Sequence, residues 1–176
     1  IKGALEQVHL WEEKDKKVKK LSGVMKERIS IAGALLNDPE ILLLDEPTVG
    51  LDPNERMRFK NLLMKLSERK IIIFATHIVS DVEDIADQVV ILHKGSVKLS
   101  ESMEKVMERA ENNVWECDLH DIEKIQKIMN TYPVSMMKRY KGGVHFRIIS
   151  GEKPCEEAVR VAGSLEEIYM RITGRA

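Results

Sequence analysis

Two continuous apolar runs dominate the first half of the chain, and each ends abruptly in polar chemistry. Ile41, Leu42, Leu43 and Leu44 run into Asp45 and Glu46, and Ile71 to Ala75 run into Thr76 and His77. Runs without alternation predict strands covered on both faces, central in a parallel sheet, where ligands gather beyond the carboxyl ends. Around them the apolar period changes to that of helices. Met25, Ile29, Ala32 and Leu36 recur at helical spacing after Gly23, and Asn37, Asp38 and Pro39 end that helix. Asp52, Pro53 and Glu55 supply an N-cap, a proline at the first helical position and an acid at the third. A buried stripe of Phe59, Leu62, Leu63 and Leu66 follows. Ser80 to Glu83 reads as a second capping box. Val89 to Leu92 and Val97 to Leu99 read as a hairpin through Lys94 and Gly95, and a helix is expected over about residues 102 to 111.

Beyond residue 111 the texture alternates. Trp115, Cys117 and Leu119 share one face of a strand, and Val144, Phe146 and Ile148 share a face of another, with a turn at Lys141 to Gly143. One-sided antiparallel strands follow from that pattern. Ile122, Ile125, Ile128 and Met129 make a helical stripe between them. Ser164 to Glu167 caps a last helix carrying Leu165, Ile168 and Ile172, stopped by Gly174. The expected division is therefore residues 1–111 and a small α+β appendage over 112–176.

The order of these segments resembles the nucleotide-binding subunit of ATP-binding cassette (ABC) transporters. Leu21, Ser22 and Gly23 match that family's signature loop, Ile41 to Glu46 its Walker B strand, Gly50 to Pro53 its D-loop turn, and His77 its switch histidine. The match covers roughly residues 1 to 110, and the ending from Ser164 to Tyr169 resembles the tail of ATPase subunits serving ABC-2-type exporters. The fold so implied is α/β: the C-terminal part of a P-loop NTPase domain with a mostly parallel sheet and helices, followed by the α+β appendage. The family's Walker A loop, G-x-x-x-x-G-K-[ST], does not occur, since none of the ten glycines precedes a lysine. Gln7 stands too near the signature to be the family's glutamine loop, and the chain opens on Ile1. A C-terminal fragment of such a subunit is the expectation.

The resemblance assigns roles residue by residue. Asp45 would hold the Mg²⁺ shell, Glu46 would polarise the attacking water, and His77 would contact the γ-phosphate and orient that water. Ser22 and Gly23 would meet the phosphates of a nucleotide held by a second subunit, and Asp52 would lie at the dimer interface as well as capping a helix. ATP and Mg²⁺ are the implied cofactors; a second ATPase subunit and transmembrane permease subunits are the implied partners. The implied location is peripheral, on the cytoplasmic face of the cell membrane. Phosphoryl transfer suits such a site because it asks for an oriented nucleophile, a metal and charge stabilisation rather than covalent chemistry. Ser22 and Gly23 also precede a helix start, where free N–H groups favour anions; an ordinary N-cap serine is the competing reading. Val24 stands where the family has a second glycine, and would be costly if that position needs positive φ. Glu27 adds negative charge one turn on.

Composition narrows the rest. The 176 residues, 43% hydrophobic with a net charge of −1, suffice for one ordinary core or two small ones, and offer no field to draw nucleic acid. The longest apolar runs fall short of the roughly 18 to 20 residues of a membrane-spanning helix. Cys117 and Cys155 lack metal-type spacing, which makes a reduced cytosol the expected compartment; His9, His93, His120 and His145 share no ligand spacing; Trp11 and Trp115 read as packing residues. Three functions are open at this point: part of the ATPase subunit of a membrane exporter, a chromosome-maintenance or repair ATPase head, and a non-enzymatic remnant or regulatory module. Without Walker A, the chain by itself is expected neither to bind nor to hydrolyse ATP.

Overall fold

The structure, a computed structural model, describes residues 1–110 and 113–174, and these form two compact units, 1–78 and 79–176. The boundary expected at residues 111 and 112 lies outside the described residues.

In the first unit, helix α1 (Lys2–Gln7) is followed by two single turns of 3₁₀ helix, Trp11–Glu13 and Val18–Lys20. The charged run from Glu12 to Lys20 is almost wholly exposed, as a solvated surface should be. Trp11 is half-buried, with the ammonium groups of Lys2 and Lys14 at 5.4 and 5.2 Å from its ring. Helix α2 (Gly23–Ala34) starts where Ser22 accepts the Met25 N–H at 3.2 Å, and continues into a 3₁₀ turn, Leu35–Asn37. Its buried side is Ile31, Ala32 and Leu35; Leu36 is exposed, so the expected stripe is rotated. The 3₁₀ turn shifts the phase of the last residues, which a strict 3.6-residue count misses.

Strand β1 (Ile41–Asp45), helix α3 (Pro53–Ser67) and strand β2 (Ile71–Ala75) form a right-sized β-α-β unit. The strands are parallel and in register, Ile41 opposite Ile71 through Asp45 opposite Ala75. Phe59, Leu62, Leu63 and Leu66 of α3 are buried, with Leu42 of β1. The Lys70 ammonium fastens the entry to β1 by donating to the Asp38 carboxylate and, at 2.7 Å, to the Pro39 carbonyl. One expectation fails here. Leu43 is 72% exposed, and Ile41, Ile71 and Ile73 are each more than half exposed. These four residues share one face of the pair, and among the described residues nothing covers that face.

The second unit opens with α4 (Val79–Ile85), which begins one residue before Ser80, so Ser80 is inside the helix and not its cap. The Glu83 carboxylate instead accepts the Leu165 N–H at 2.8 Å. Strands β3 (Gln88–His93) and β4 (Ser96–Ser102) form the expected hairpin, with Lys94 at φ +49° and Gly95 at φ +73° as its two turn residues. Helix α5 (Met103–Ala110) follows. Val89, Ile91, Leu99, Val106 and Ala110 share a core with Leu165 and Ile168 of the last helix, α7 (Leu165–Thr173).

The remaining strands are β5 (Val114–Leu119), β6 (Val134–Tyr140), β7 (Gly143–Ile149) and β8 (Val159–Val161), antiparallel in the order β6-β7-β5-β8. Trp115, Cys117, Leu119, Phe146 and Ile148 point to one face, where Ile125 and Ile128 of helix α6 (Ile122–Thr131) cover them. The outer ends of the expected α6 stripe, Ile122 and Met129, are exposed at 70% and 53%. Trp115 is a packing residue whose indole donates to the Ser150 carbonyl at 2.9 Å. On the opposite face Arg147 bridges Glu116 and Glu167 at 2.8 and 2.9 Å. Glu167 also closes the Ser164 capping box and accepts from Ser135 at 2.7 Å, tying the start of α7 to the sheet.

Candidate functional site

The parallel pairing brings the two polar strand ends together. Past Asp45 the chain turns at Glu46, whose φ of +48° is a left-handed conformation that a non-glycine residue adopts at a cost of about 1–2 kcal/mol. The Glu46 N–H donates to the Ala75 carbonyl at 2.8 Å, which extends the β1–β2 ladder by one bond and aims the side chain across to the end of β2. There Glu46 Oε1 accepts from His77 Nδ1 at 2.8 Å and from the His77 amide at 3.1 Å, while Oε2 accepts the Thr76 hydroxyl at 2.9 Å. An ionised carboxylate only accepts, so Nδ1 carries a ring proton, and in the neutral imidazole Nε2 then holds the lone pair. The His77 hydrogen bond holds the Glu46 carboxyl below its ordinary range; partial desolvation opposes this, and the Thr76 hydroxyl reinforces it. A carboxylate so supplied with donors is a weak proton acceptor and a firm anchor for the imidazole.

Asp45 ends β1 beside Ala75 with its side chain exposed. A single hard carboxylate next to open space fits Mg²⁺, which commonly takes one or two protein carboxylates and completes its octahedron with water and phosphate oxygens. No cluster of three or more His, Cys, Asp or Glu side chains suited to a metal occurs among the described residues. ATP fits less completely, because no Gly-Lys pair exists in this sequence to cradle its phosphates.

The other sequence-derived candidates are engaged in caps. Ser22 is the N-cap of α2, and Gly23 is that helix's first residue, exposed. Val24 lies in the first turn with ordinary helical backbone and is absent from the positive-φ residues, so the strain considered for it does not arise. Asp52 caps α3 by accepting the Glu55 N–H at 2.9 Å. The capping box is only half formed, since the Glu55 carboxylate accepts from Arg28 of α2 and from Arg58 at 3.2 Å. That Arg28–Glu55 pair joins the helix after Ser22 to the helix after Asp52. Sequence reading missed it, as it missed Thr76, whose signal was only a hydroxyl next to His77.

Comparison with known proteins agrees with this geometry. The family model described as ABC transporter matches residues 1–49, a stretch that contains Ser22, Asp45 and Glu46. The Nod factor export ATP-binding protein I of Burkholderia pseudomallei (strain 1710b) is 30% identical over 97% of this chain and 59% of that protein. The uncharacterized ABC transporter ATP-binding protein YxlF of Bacillus subtilis (strain 168) is 35% identical over 63% of this chain and 38% of it. Among solved structures, cbiO1 from Clostridium perfringens, part of the ABC transporter complex cbiONQ, superposes with a TM-score of 0.56 and 36% identity over 60% of this chain and 43% of that one. The chain thus spans about three fifths of the first of these relatives. The chain is thus similar to ABC transporter ATP-binding proteins over nearly its whole length, and its α/β fold is that of ABC ATPase domains, a P-loop NTPase fold.

Proposed function

We propose that this chain supplies the Mg²⁺-binding and water-orienting strand ends of an ATP-hydrolysing subunit whose phosphate cradle comes from residues outside it. The observation that carries this reading is the 2.8 Å contact that joins Glu46, after β1, to His77, after β2. In this reading Asp45 holds Mg²⁺, which would neutralise the charge of the β- and γ-phosphates. Glu46 and His77 act as a unit: the carboxylate fixes the imidazole with Nε2 outward, and the pair orients a water in line with the γ-phosphorus. Ser22 and Gly23, exposed at the start of α2, would face the nucleotide of a second ATPase subunit. Asp52, at the start of α3, would lie at that interface.

The likeness to an export ATP-binding protein over nearly the whole chain, residues past 111 included, supports coupling to export through separate permease subunits on the cytoplasmic face of a membrane. Among the described residues no helix is long and apolar enough to cross a membrane, which agrees with a peripheral place. Residues 112–176 would then be an accessory α+β domain. The absence of a Gly-Lys pair also suits the reading of a non-enzymatic, partner-binding module.

Calorimetric titration of the isolated chain with Mg-ATP tests the division of labour. Asp45 and Glu46 alone would repel a polyphosphate that no lysine or glycine-rich loop holds, so no saturable heat is expected at concentrations up to about 1 mM, whereas binding in the micromolar range would overturn it.

A further inference from the structure

The Thr76 hydroxyl has its proton direction set by its neighbours. The Ile78 N–H donates to Thr76 Oγ1 at 3.1 Å, and Glu46 as a carboxylate offers only lone pairs, so the Thr76 O–H donates to Glu46 Oε2 at 2.9 Å. Oε1 is the oxygen that faces His77 Nδ1, at 2.8 Å. Each carboxylate oxygen thus has its own short partner. The Glu46 side chain is 39% exposed and the His77 side chain 72% exposed, so packing does little to hold either one. The terminal torsion of a glutamate is broad and nearly two-fold, and only hydrogen bonds can fix the plane of a carboxylate in such surroundings. The His77 amide holds Oε1 at 3.1 Å but reaches Oε2 only at 3.4 Å, which leaves the second oxygen to Thr76.

We propose that Thr76 is a positioning residue: its hydroxyl, aimed by the Ile78 amide, locks the plane of the Glu46 carboxylate so that Oε1 keeps His77 in the Nδ1–H form with Nε2 free. Its consequence for turnover rests on the ATPase reading of Glu46 and His77, but its consequence for the imidazole does not. Removing the hydroxyl lets the carboxylate turn, and the ring gains access to the Nε2–H form.

The test is a two-bond proton–nitrogen correlation spectrum of the full chain labelled with ¹⁵N-histidine, taken at about pH 8, where an ordinary imidazole is neutral. His77 of the natural chain is expected in the Nδ1–H form. In Thr76→Val, which keeps the side chain's shape, the ratio of Nδ1–H to Nε2–H should fall roughly fivefold, the worth of one modest hydrogen bond. Thr76→Ser, which keeps the hydroxyl, should stay within about twofold of the natural ratio. Thr76→Ala serves as a second deletion of the hydroxyl, and unchanged amide peaks away from residues 44–49 and 74–79 certify the fold. An unchanged tautomer in both Thr76→Val and Thr76→Ala, or a shift in Thr76→Ser as large as theirs, overturns the proposal. A parallel arm measures ATP hydrolysis after the chain is joined to a half carrying a Walker A loop, where Thr76→Val should lower kcat about tenfold at unchanged KM. If the tautomer shifts and hydrolysis does not depend on Glu46, the ATPase reading falls and the positioning role stands; if the tautomer does not shift, the positioning role falls whatever the turnover.

Discussion

His77 Nδ1 lies 2.8 Å from Glu46 Oε1 although 31 positions separate the two residues in the chain. The contact follows from the strand register: Asp45 stands opposite Ala75, so the residue after β1 and the second residue after β2 leave the same end of the same sheet. A slip of one residue would turn every side chain of one strand to the other face and would break the contact outright. The chemistry at this end therefore depends on a pair of strands that, in this chain, are covered on one face only.

That incomplete cover predicts uneven protection. Strands β1 and β2 each have one neighbour among the described residues, and their outward face of Ile41, Leu43, Ile71 and Ile73 is open to water. Strands β5 and β7 each have neighbours on both sides and bury Trp115, Phe146 and Ile148. Native-state hydrogen exchange should find the amides of Leu43 and Ile72 opening more readily than those of Trp115 and Phe146. Slower exchange at Leu43 and Ile72 would refute this view of the sheet.

The second unit should be sensitive to acid through Glu167. Burial on its own would raise this carboxyl, but the donors Arg147, Ser164 and Ser135 outweigh it and bring the pKa from 4.5 down to about 2. A carboxyl depressed in the folded state stabilises fully above its unfolded value and loses that contribution as pH falls through the folded one. Stability of this unit should therefore hold above about pH 4.5 and decline between there and about pH 2. Glu167→Gln, which removes one of the two carboxylates that Arg147 bridges and leaves it Glu116, should cost about 3 kcal/mol at neutral pH and flatten the acid limb. Urea unfolding read from Trp115 in a Trp11→Phe background measures both; an acid limb identical in the two proteins would show that Glu167 is not its origin.

The two cysteines should differ in reactivity. Burial pushes the Cys117 thiol up to about 12, and the neighbouring Cys155 sulfur adds to the shift. Cys155 is only partly buried. Alkylation of the folded chain at about pH 8, followed by mass spectrometry, should modify Cys155 at least about tenfold faster than Cys117. Equal rates would mean that the sheet opens around Cys117 far more often than its burial implies.

Local signals told most where a residue's partner is close in sequence. The Asp52–Glu55 cap, the Lys94–Gly95 turn and the Ser164–Glu167 box involve partners within three residues, and all were legible. The strand-end acids and His77 were legible because apolar runs stop sharply there. What escaped depends on distant partners. Ser80 to Glu83 has the letters of a capping box, yet the helix starts at Val79 and Glu83 serves Leu165, 82 positions away. Strand β6 was missed because Val134–Tyr140 forms an edge, where exposure removes the need for alternation. The double cover expected for Ile41 to Leu44 needs elements packed on both faces, and among the described residues one face, with Ile41 and Leu43, is bare. Thr76 carries no pattern at all: its role is visible only once β1 and β2 are paired.

The most direct test of the strand-end site is ATP hydrolysis by this chain joined, covalently or in trans, to a half bearing a Walker A loop. Hydrolysis should appear on joining. Glu46→Gln should then lower kcat by roughly 10²–10⁴-fold while ATP stays bound, because the water loses its orienting group and the phosphates keep theirs. His77→Ala should lower kcat with little change in affinity, and Asp45→Asn should weaken binding that depends on Mg²⁺. Undiminished turnover in both Glu46→Gln and His77→Ala would contradict the account, since the pair that meets at the ends of β1 and β2 would then have no part in the reaction.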